Sequence, residues 1–208
     1  MQHAFVQAAV VFLILSLFVS AQADATKPEV RSNPLTAEQI AIYRAVLDDY
    51  MKDSAGVLNV ADTTEPLDQS GFGFDEGCVK NIQVQPDRDT VTMTHKLDLS
   101  LVRDKRFKLV DPGHQQEKIK QNDPQGVVKG VIDDHRVVTD KQLDRSVSRA
   151  FQTGMLTLSE ILFDKQQRHA LVSYSFVCGE LCGNGNLLAL TKVGHKWKVT
   201  KRCGGWVS

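Results

Sequence analysis

The densest concentration of residues able to do chemistry is Cys178-Gly179-Glu180-Leu181-Cys182, a close pair of thiols in a glycine-rich segment. Cys203 follows near the C-terminus and Cys78 precedes at a distance. A thiol oxidoreductase generally wants two cysteines separated by two residues at a helix N-terminus, where the dipole lowers the thiolate pKa. Here the spacing is one residue longer and the flanking residues read as strands joined by a turn. A four-cysteine zinc site wants two close pairs, and the chain has one. Structural disulfides fit the pattern best, engaging Cys78, Cys178, Cys182 and Cys203. Four cysteines permit three pairings, and the sequence leaves them open.

Imidazoles near carboxylates are the second source of chemistry. His95 falls on the apolar side of an alternating strand, where a histidine is more often a satisfied core or rim residue than a ligand. His135 follows Asp133 and Asp134, a triplet that could attract a divalent metal. Adjacent strand residues point to opposite faces, however, and no second ligand cluster accompanies it. Either histidine would form an acid–base pair with a carboxylate such as Asp75 or Glu76, provided that the fold brought them within hydrogen-bond reach. Serine hydrolysis finds no G-x-S-x-G turn, since Ser146, Ser148, Ser173 and Ser175 sit inside expected elements. A phosphate loop is excluded because Cys178 to Asn186 lacks the G-K-[ST] ending and leads into a strand. No catalytic residue, cofactor-binding residue or metal ligand is assigned, and no cofactor is implied.

The elements that must position these groups are clearest at the C-terminus. From Ala170 to Ser208, apolar, β-branched and aromatic runs alternate with glycine-containing turns. They predict strands near His169–Cys178, Asn186–Val193 and Lys196–Cys203. Gly194 suits a tight turn with positive φ between the last two. Pairing 193 with 196 places Cys203 beside Asn186 and, through the preceding hairpin, Asn186 near Cys178. Cys178, Cys182 and Cys203 should then gather at one end of the sheet, fixing a loop from Gly179 to Gly185.

At the other terminus an apolar run ends in Ala21-Gln22-Ala23, the small-residue pattern of signal-peptide cleavage. Residues 1–23 read as a signal peptide, 24–34 as a flexible arm with Pro28, and 35–208 as one domain. The competing reading, an uncleaved anchor from Ala4 to Val19, is weakened by Gln7, Ser16 and Ser20, which shorten the run below the ~20 apolar residues a span needs. No cysteine lies at the cleavage point to carry a lipid. Export and an even cysteine count both point to an oxidising compartment, periplasmic or extracellular.

Between these ends the pattern alternates. Thr36 and Gln39 form a reciprocal cap, Leu35 and Ile40 a staple, for an amphipathic helix to about Lys52 whose face is Ile40, Tyr43, Leu47, Tyr50 and Met51. Asp53 to Gly77 reads as a long loop, with Phe72 and Phe74 able to plug the core edge. Cys78–Gln85 and Thr90–Leu101 read as a hairpin about Pro86–Asp89. After the basic cluster Arg103–Lys108, the stretch Pro112–Gly126 reads as an exposed loop and Val127–Val138 as a further apolar segment. Thr139 and Gln142 repeat the cap, with Val138 and Leu143 as staple, for a second helix burying Leu143, Val147, Ala150 and Phe151. Gly154 then suits a left-handed cap. Leu156–Phe163 opens the final sheet and Asp164–Arg168 turns it into the meander.

The sum is an α+β fold, mainly antiparallel and without β-α-β alternation, so no parallel sheet is expected. A curved sheet embracing a helix, as in cystatin-like or NTF2-like cones, is a compatible architecture. Its charges balance at 25 basic and 25 acidic residues, leaving no global field to attract nucleic acid. Beyond Glu180 only Lys192, Lys196, Lys198, Lys201 and Arg202 carry charge; they read as solvent-facing lysines that discourage edge pairing, or alternatively as an anion-binding face.

The ending CGELCGNG, then Gly194 to Trp197 as G-H-K-W, then Trp206-Val207-Ser208, is similar to the C-terminal pattern of uncharacterised secreted bacterial proteins. The likeness includes the preceding LTLSEILFD, from Leu156 to Asp164. It implies a bacterial exported protein and carries over no catalytic residue. The reading is an exported, non-catalytic binding or interaction domain stabilised by disulfides. Its expected partner is another protein or a small anionic ligand, with no membrane span after signal cleavage. The alternative is an enzyme, a hydrolase or thiol oxidoreductase, assembled from distant residues.

Overall fold

The computed structural model describes residues 29–31, 34–54, 56–67, 93–98, 101, 105–126, 129 and 137–208. Among them are β1 (Glu29–Arg31), α1 (Ala37–Met51), β2 (Leu58–Ala61), β3 (Met93–His95), β4 (Phe107–Val110), α2 (Pro112–Gln121) and α3 (Asp140–Thr153). These are followed by β5 (Met155–Leu158), β6 (Leu162–Phe163), β7 (His169–Gly179), β8 (Cys182–Val193) and β9 (Lys196–Val207). The class is α+β. A seven-stranded sheet runs β4-β2-β5-β7-β8-β9, with β6 paired to β7, and β1 and β3 form a separate parallel pair. Cys78, Asp75, Glu76, Phe72, Phe74 and the Asp133-Asp134-His135 triplet lie outside the described residues.

The meander matches its expected strands and extends them. Its turns are Glu180-Leu181 and Gly194-His195, the latter with Gly194 at φ +61°. Gly179 to Gly185, expected as a loop, is therefore mostly strand. Register irregularities between Asn186 and Leu188, and between Ala189 and Leu190, set Asn186 opposite Gly205 instead of Cys203, and Asn186 also lies across from Tyr174. The three thiols do not share one end. Cys178 belongs to the main core, whereas Cys203 packs in a second cluster with Leu67, Leu162, Leu171, Leu187 and Ala189. Each bulge shifts the side-chain alternation by one residue, so ideal register could not carry that far.

The expectation of no parallel strands is corrected: β2 pairs parallel with both β4 and β5. Parallel neighbours require a crossover; here the chain leaves β4, passes through α2 and α3, and returns as β5 on the other side of β2. The strand β2 lies within the stretch expected to be one long loop. Leu58 and Val60 enter the main core while Ala61 packs with Ile119 and Met155, so it is buried on both faces and shows no alternation.

Pro112–Gly126, expected as a loop, is largely α2. Asp111 Oδ1 accepts from the His114 N–H at 2.7 Å, and Pro112 occupies the first turn, where its missing N–H costs nothing. Lys118 and Lys120 sit at the C-terminal end, where cations favour the dipole. Only Gln115 and Ile119 are buried, and Gln115 Nε2 donates to Thr153 O at 2.6 Å, tying α2 to the end of α3.

Both expected capping boxes form, Thr36 with Gln39 and Thr139 with Gln142. In α1, Tyr43, Leu47 and Met51 are buried as expected, joined by Ile42 and Val46. In α3 the expected buried face is corrected: Ala150 is fully buried, but Leu143, Val147 and Phe151 are 41%, 37% and 57% exposed. The body meets α3 along the flank of its apolar stripe. Gly154 is corrected too, since its φ is −53° and ψ 155°, ordinary extended backbone. A Cβ there would lie 2.3 Å from Phe176 Cζ and 3.1 Å from Cys178 Cβ, so the glycine supplies room. Gly154→Ala should cost about 1–3 kcal/mol in urea unfolding by overpacking, with Gly154→Asn no better. Rescue by asparagine would restore the left-handed explanation.

Candidate functional site

After β5 the chain breaks its alternation at Ser159-Glu160. The Ser159 N–H donates to Ser173 O, the Ser159 hydroxyl accepts from the Ser173 N–H at 2.8 Å, and Tyr43 Oη donates to Ser159 O at 3.0 Å. These bonds turn the Glu160 carboxylate inward, where the residue is 2% exposed. Burial of a carboxylate is tolerated only when it is hydrogen-bonded. Its Oε1 accepts from Thr64 Oγ1 and from the His95 N–H at 3.0 Å, and its Oε2 meets His95 Nδ1 at 2.8 Å. In the tautomer whose Nδ1 donates across this contact, Nε2 is the acceptor nitrogen of the ring. Burial first, and the Glu160 charge second, push the Tyr43 phenol well above its ordinary range. Burial alone raises the neighbouring Glu65 carboxyl.

The fold thus gives His95 a carboxylate partner, as an acid–base pair demands. The partner is Glu160, in place of Asp75 or Glu76. Glu160 was missed although the sequence held a signal: one acid inside the apolar run LTLSEILF must find donors or cost several kcal/mol. A second imidazole pair, His169 Nδ1 to Asp164 Oδ2 at 2.8 Å, organises the turn after β6. Asp164 also accepts the Arg168 and His169 N–H groups. Partial burial pushes the Asp164 carboxyl up, but the His169 and Arg168 bonds outweigh it and hold it below its ordinary value.

The second site grows from the thiol turn. Cys178 and Cys182 are joined by a disulfide, their Cα atoms 5.0 Å apart, and Cys203 is also disulfide-bonded. The turn is pinned from α2: Asp123 Oδ2 accepts from the Glu180 N–H at 2.8 Å while Oδ1 accepts from the Gln125 N–H at 2.9 Å. The space between this turn, the C-terminal end of α2, and α3 forms two adjoining cavities of about 380 and 630 Å³. They share Gln121, Asp123 and Gly126. The smaller adds Asn122, Gln142, Arg145, Ser146 and Arg149; the larger adds Ile119, Val177, Lys120, Lys129 and Glu180. Volumes of this order suit small-molecule ligands.

No family model, curated protein or solved structure matches the chain. The site is therefore read from its own geometry. Among the described residues no three metal-ligating side chains come together, and no helix is long and apolar enough to cross a membrane.

Two of the five basic residues of the last two strands, Lys192 and Arg202, dock α1. Lys192 Nζ donates to Glu38 Oε1 at 2.7 Å, Trp197 Nε1 donates to Glu38 Oε2 at 2.6 Å, and Arg202 pairs with Asp49. The Lys192 and Trp197 hydrogen bonds hold the Glu38 carboxyl below its ordinary 4.5. A depressed folded pKa adds stability that is complete above the unfolded value and disappears as pH falls through the folded one. Glu38→Gln should therefore flatten the pH dependence of unfolding free energy on the acid side of 4.5, measured by denaturant titration from neutral pH downward. An unchanged slope would mean the contact is too exposed to contribute.

Proposed function

We propose that the protein is an exported, disulfide-stabilised binding module without catalytic activity, periplasmic or secreted, and that its ligand occupies the cleft between α2, α3 and the β7–β8 turn. One observation carries this reading: the β7–β8 turn that walls the larger cavity is held from both sides, by the Cys178–Cys182 disulfide and by Asp123, which lines both cavities. A wall constrained in this way offers a preformed surface, which lowers the entropy lost on binding. Export is supported by the leader-like run ending at Ala23, by disulfides that persist in oxidising compartments, and by the likeness of the C-terminal pattern to secreted bacterial proteins. The cleft is lined mainly by amide and charged side chains, and Ser146 has no histidine beside it among the lining residues.

A second reading, an enzyme, is favoured by a single observation, the oriented imidazole of His95. Its side chain is 12% exposed, so Nε2 would act as proton acceptor with Glu160 as the positioning residue.

The exported protein should begin at Asp24 by intact mass and resist alkylation until reduced. Gly126 borders both cavities, and a Cβ there meets nothing within 4 Å. Gly126→Trp should fill the cleft without unfolding the chain, and small-molecule fragments that perturb α2 and α3 amides in NMR spectra should lose their effect on this variant. Fragments indifferent to Gly126→Trp would sink the cleft as ligand site. Turnover of an ester or amide panel that vanishes in His95→Asn would replace the binding module with the enzyme.

A further inference from the structure

Arg145 and Arg149 stand one turn apart on the face of α3 that borders the smaller cavity. Like charges at this spacing repel by a few tenths of a kcal/mol, and Lys141 extends the same row. The acids of α3, Asp140 and Asp144, lie off that row on the helical wheel. Neither guanidinium makes an ion pair among the described residues, whereas Arg106 pairs with Asp48 and Arg202 with Asp49.

Among the described residues, the one carboxylate lining the smaller cavity is Asp123, and its charge offsets one of the two arginines there. Its two oxygens accept the Gln125 and Glu180 N–H groups, and it packs so tightly on the turn that a Cβ at Gly179 would come within 2.7 Å of Oδ1. Lys129 and Lys120 on the larger cavity lie 4.0 and 3.3 Å from Glu180 and Glu117, as solvent-exposed pairs. The smaller cavity therefore keeps a net positive charge, Arg145 and Arg149 against Asp123, while the larger sets Lys120 and Lys129 against Asp123 and Glu180. Around the two arginines Gln121, Asn122, Gln142 and Ser146 provide neutral donors and acceptors, and at the far end the half-buried Val177 provides apolar surface.

We infer that the cleft binds a small organic anion, its oxyanion head held by Arg145 and Arg149 and its apolar body laid toward Val177. The inference rests on the cleft being the ligand site. Guanidinium forks match carboxylate and phosphate oxygens with paired hydrogen bonds, and an anion between Arg145 and Arg149 relieves their mutual repulsion. The apolar end adds affinity that a bare ion cannot gain. Carboxylate and phosphate heads share this chemistry, so both belong in the test.

The experiment titrates the mature protein, by calorimetry and amide NMR, with 3-phenylpropionate, phenyl phosphate, inorganic phosphate, acetate and the uncharged 3-phenylpropanol. A phenyl-bearing anion should bind at least about tenfold more tightly than the bare ion with the same head, which identifies the head. It should also weaken at least about tenfold in the Arg145→Gln/Arg149→Gln variant. Lys141→Gln, which does not line the cavity, should change affinity less than about twofold. Thermal unfolding of each variant separates a lost contact from a lost fold. Binding of 3-phenylpropanol equal to the anions, anion binding unaffected by the double arginine variant, or no binding by any anion overturns the inference. Neutral ligands that bind and are blocked by Gly126→Trp would remove the anion and leave the cleft standing.

Discussion

The strand β5 is buried along its whole length, and most of the architecture follows from that constraint. A strand with no solvated face must pair on both edges and be covered on both sides. β2 and β7 supply the edges. Leu156 and Leu158 enter the main core with Tyr43, Val46 and Leu47 of α1, while Met155 packs with Ile119 of α2. Parallel pairing with β2 requires a long connection, and α2 and α3 are that connection. The cleft is a by-product of this route: it lies where the crossover helices pass the end of the meander without closing on it.

Legibility in the sequence followed the locality of each interaction. The reciprocal caps of Thr36 and Thr139 and the hairpin at Gly194 depend on residues a few positions apart, and these could be read directly. β2 could not, because a four-residue strand buried on both faces carries neither alternation nor length. α2 announced itself in Asp111-Pro112, but its polar composition, with only Gln115 and Ile119 buried, left no apolar period to support the cap. In α3 the period was visible and its orientation was not. Ala150 faces the body, Phe151 lays only part of its ring on Phe176, and Leu143 and Val147 are left exposed; no property of the helix alone chooses between those flanks.

The candidate sites were legible only in part for the same reason. That His95 needs a carboxylate was arguable from its place in an apolar alternation; that the carboxylate is Glu160, sixty-five positions away, was not. The break at Ser159-Glu160 depends on Tyr43 and Ser173, so the geometry that turns Glu160 inward belongs to three separate segments. The thiol turn was recognised as the place to look, yet the residues that make it a wall, Asp123 and Glu180, meet across a separation of 57.

The Cys178–Cys182 bond closes a very short loop, and loop closure stabilises less for short loops than for long ones, about 2 kcal/mol against about 3 for a fifteen-residue loop in the chain-entropy view. β7 and β8 are already joined by a long antiparallel ladder, so the fold has little need of that increment. What the bond constrains is local: the orientation of Glu180 and Gly179 toward Asp123. A disulfide that adds modest stability yet fixes a cavity wall is better explained by the cavity than by the fold. The distribution of charge points the same way. Lys192 and Arg202, on the meander, are answered by Glu38 and Asp49 of α1, whereas Arg145 and Arg149, which line the smaller cavity with Asp123, form no ion pair among the described residues. A chain whose charges sum to zero has the acids to pair them. Leaving two arginines unpaired at one concave place is a local imbalance, and an anionic occupant supplies what that imbalance lacks.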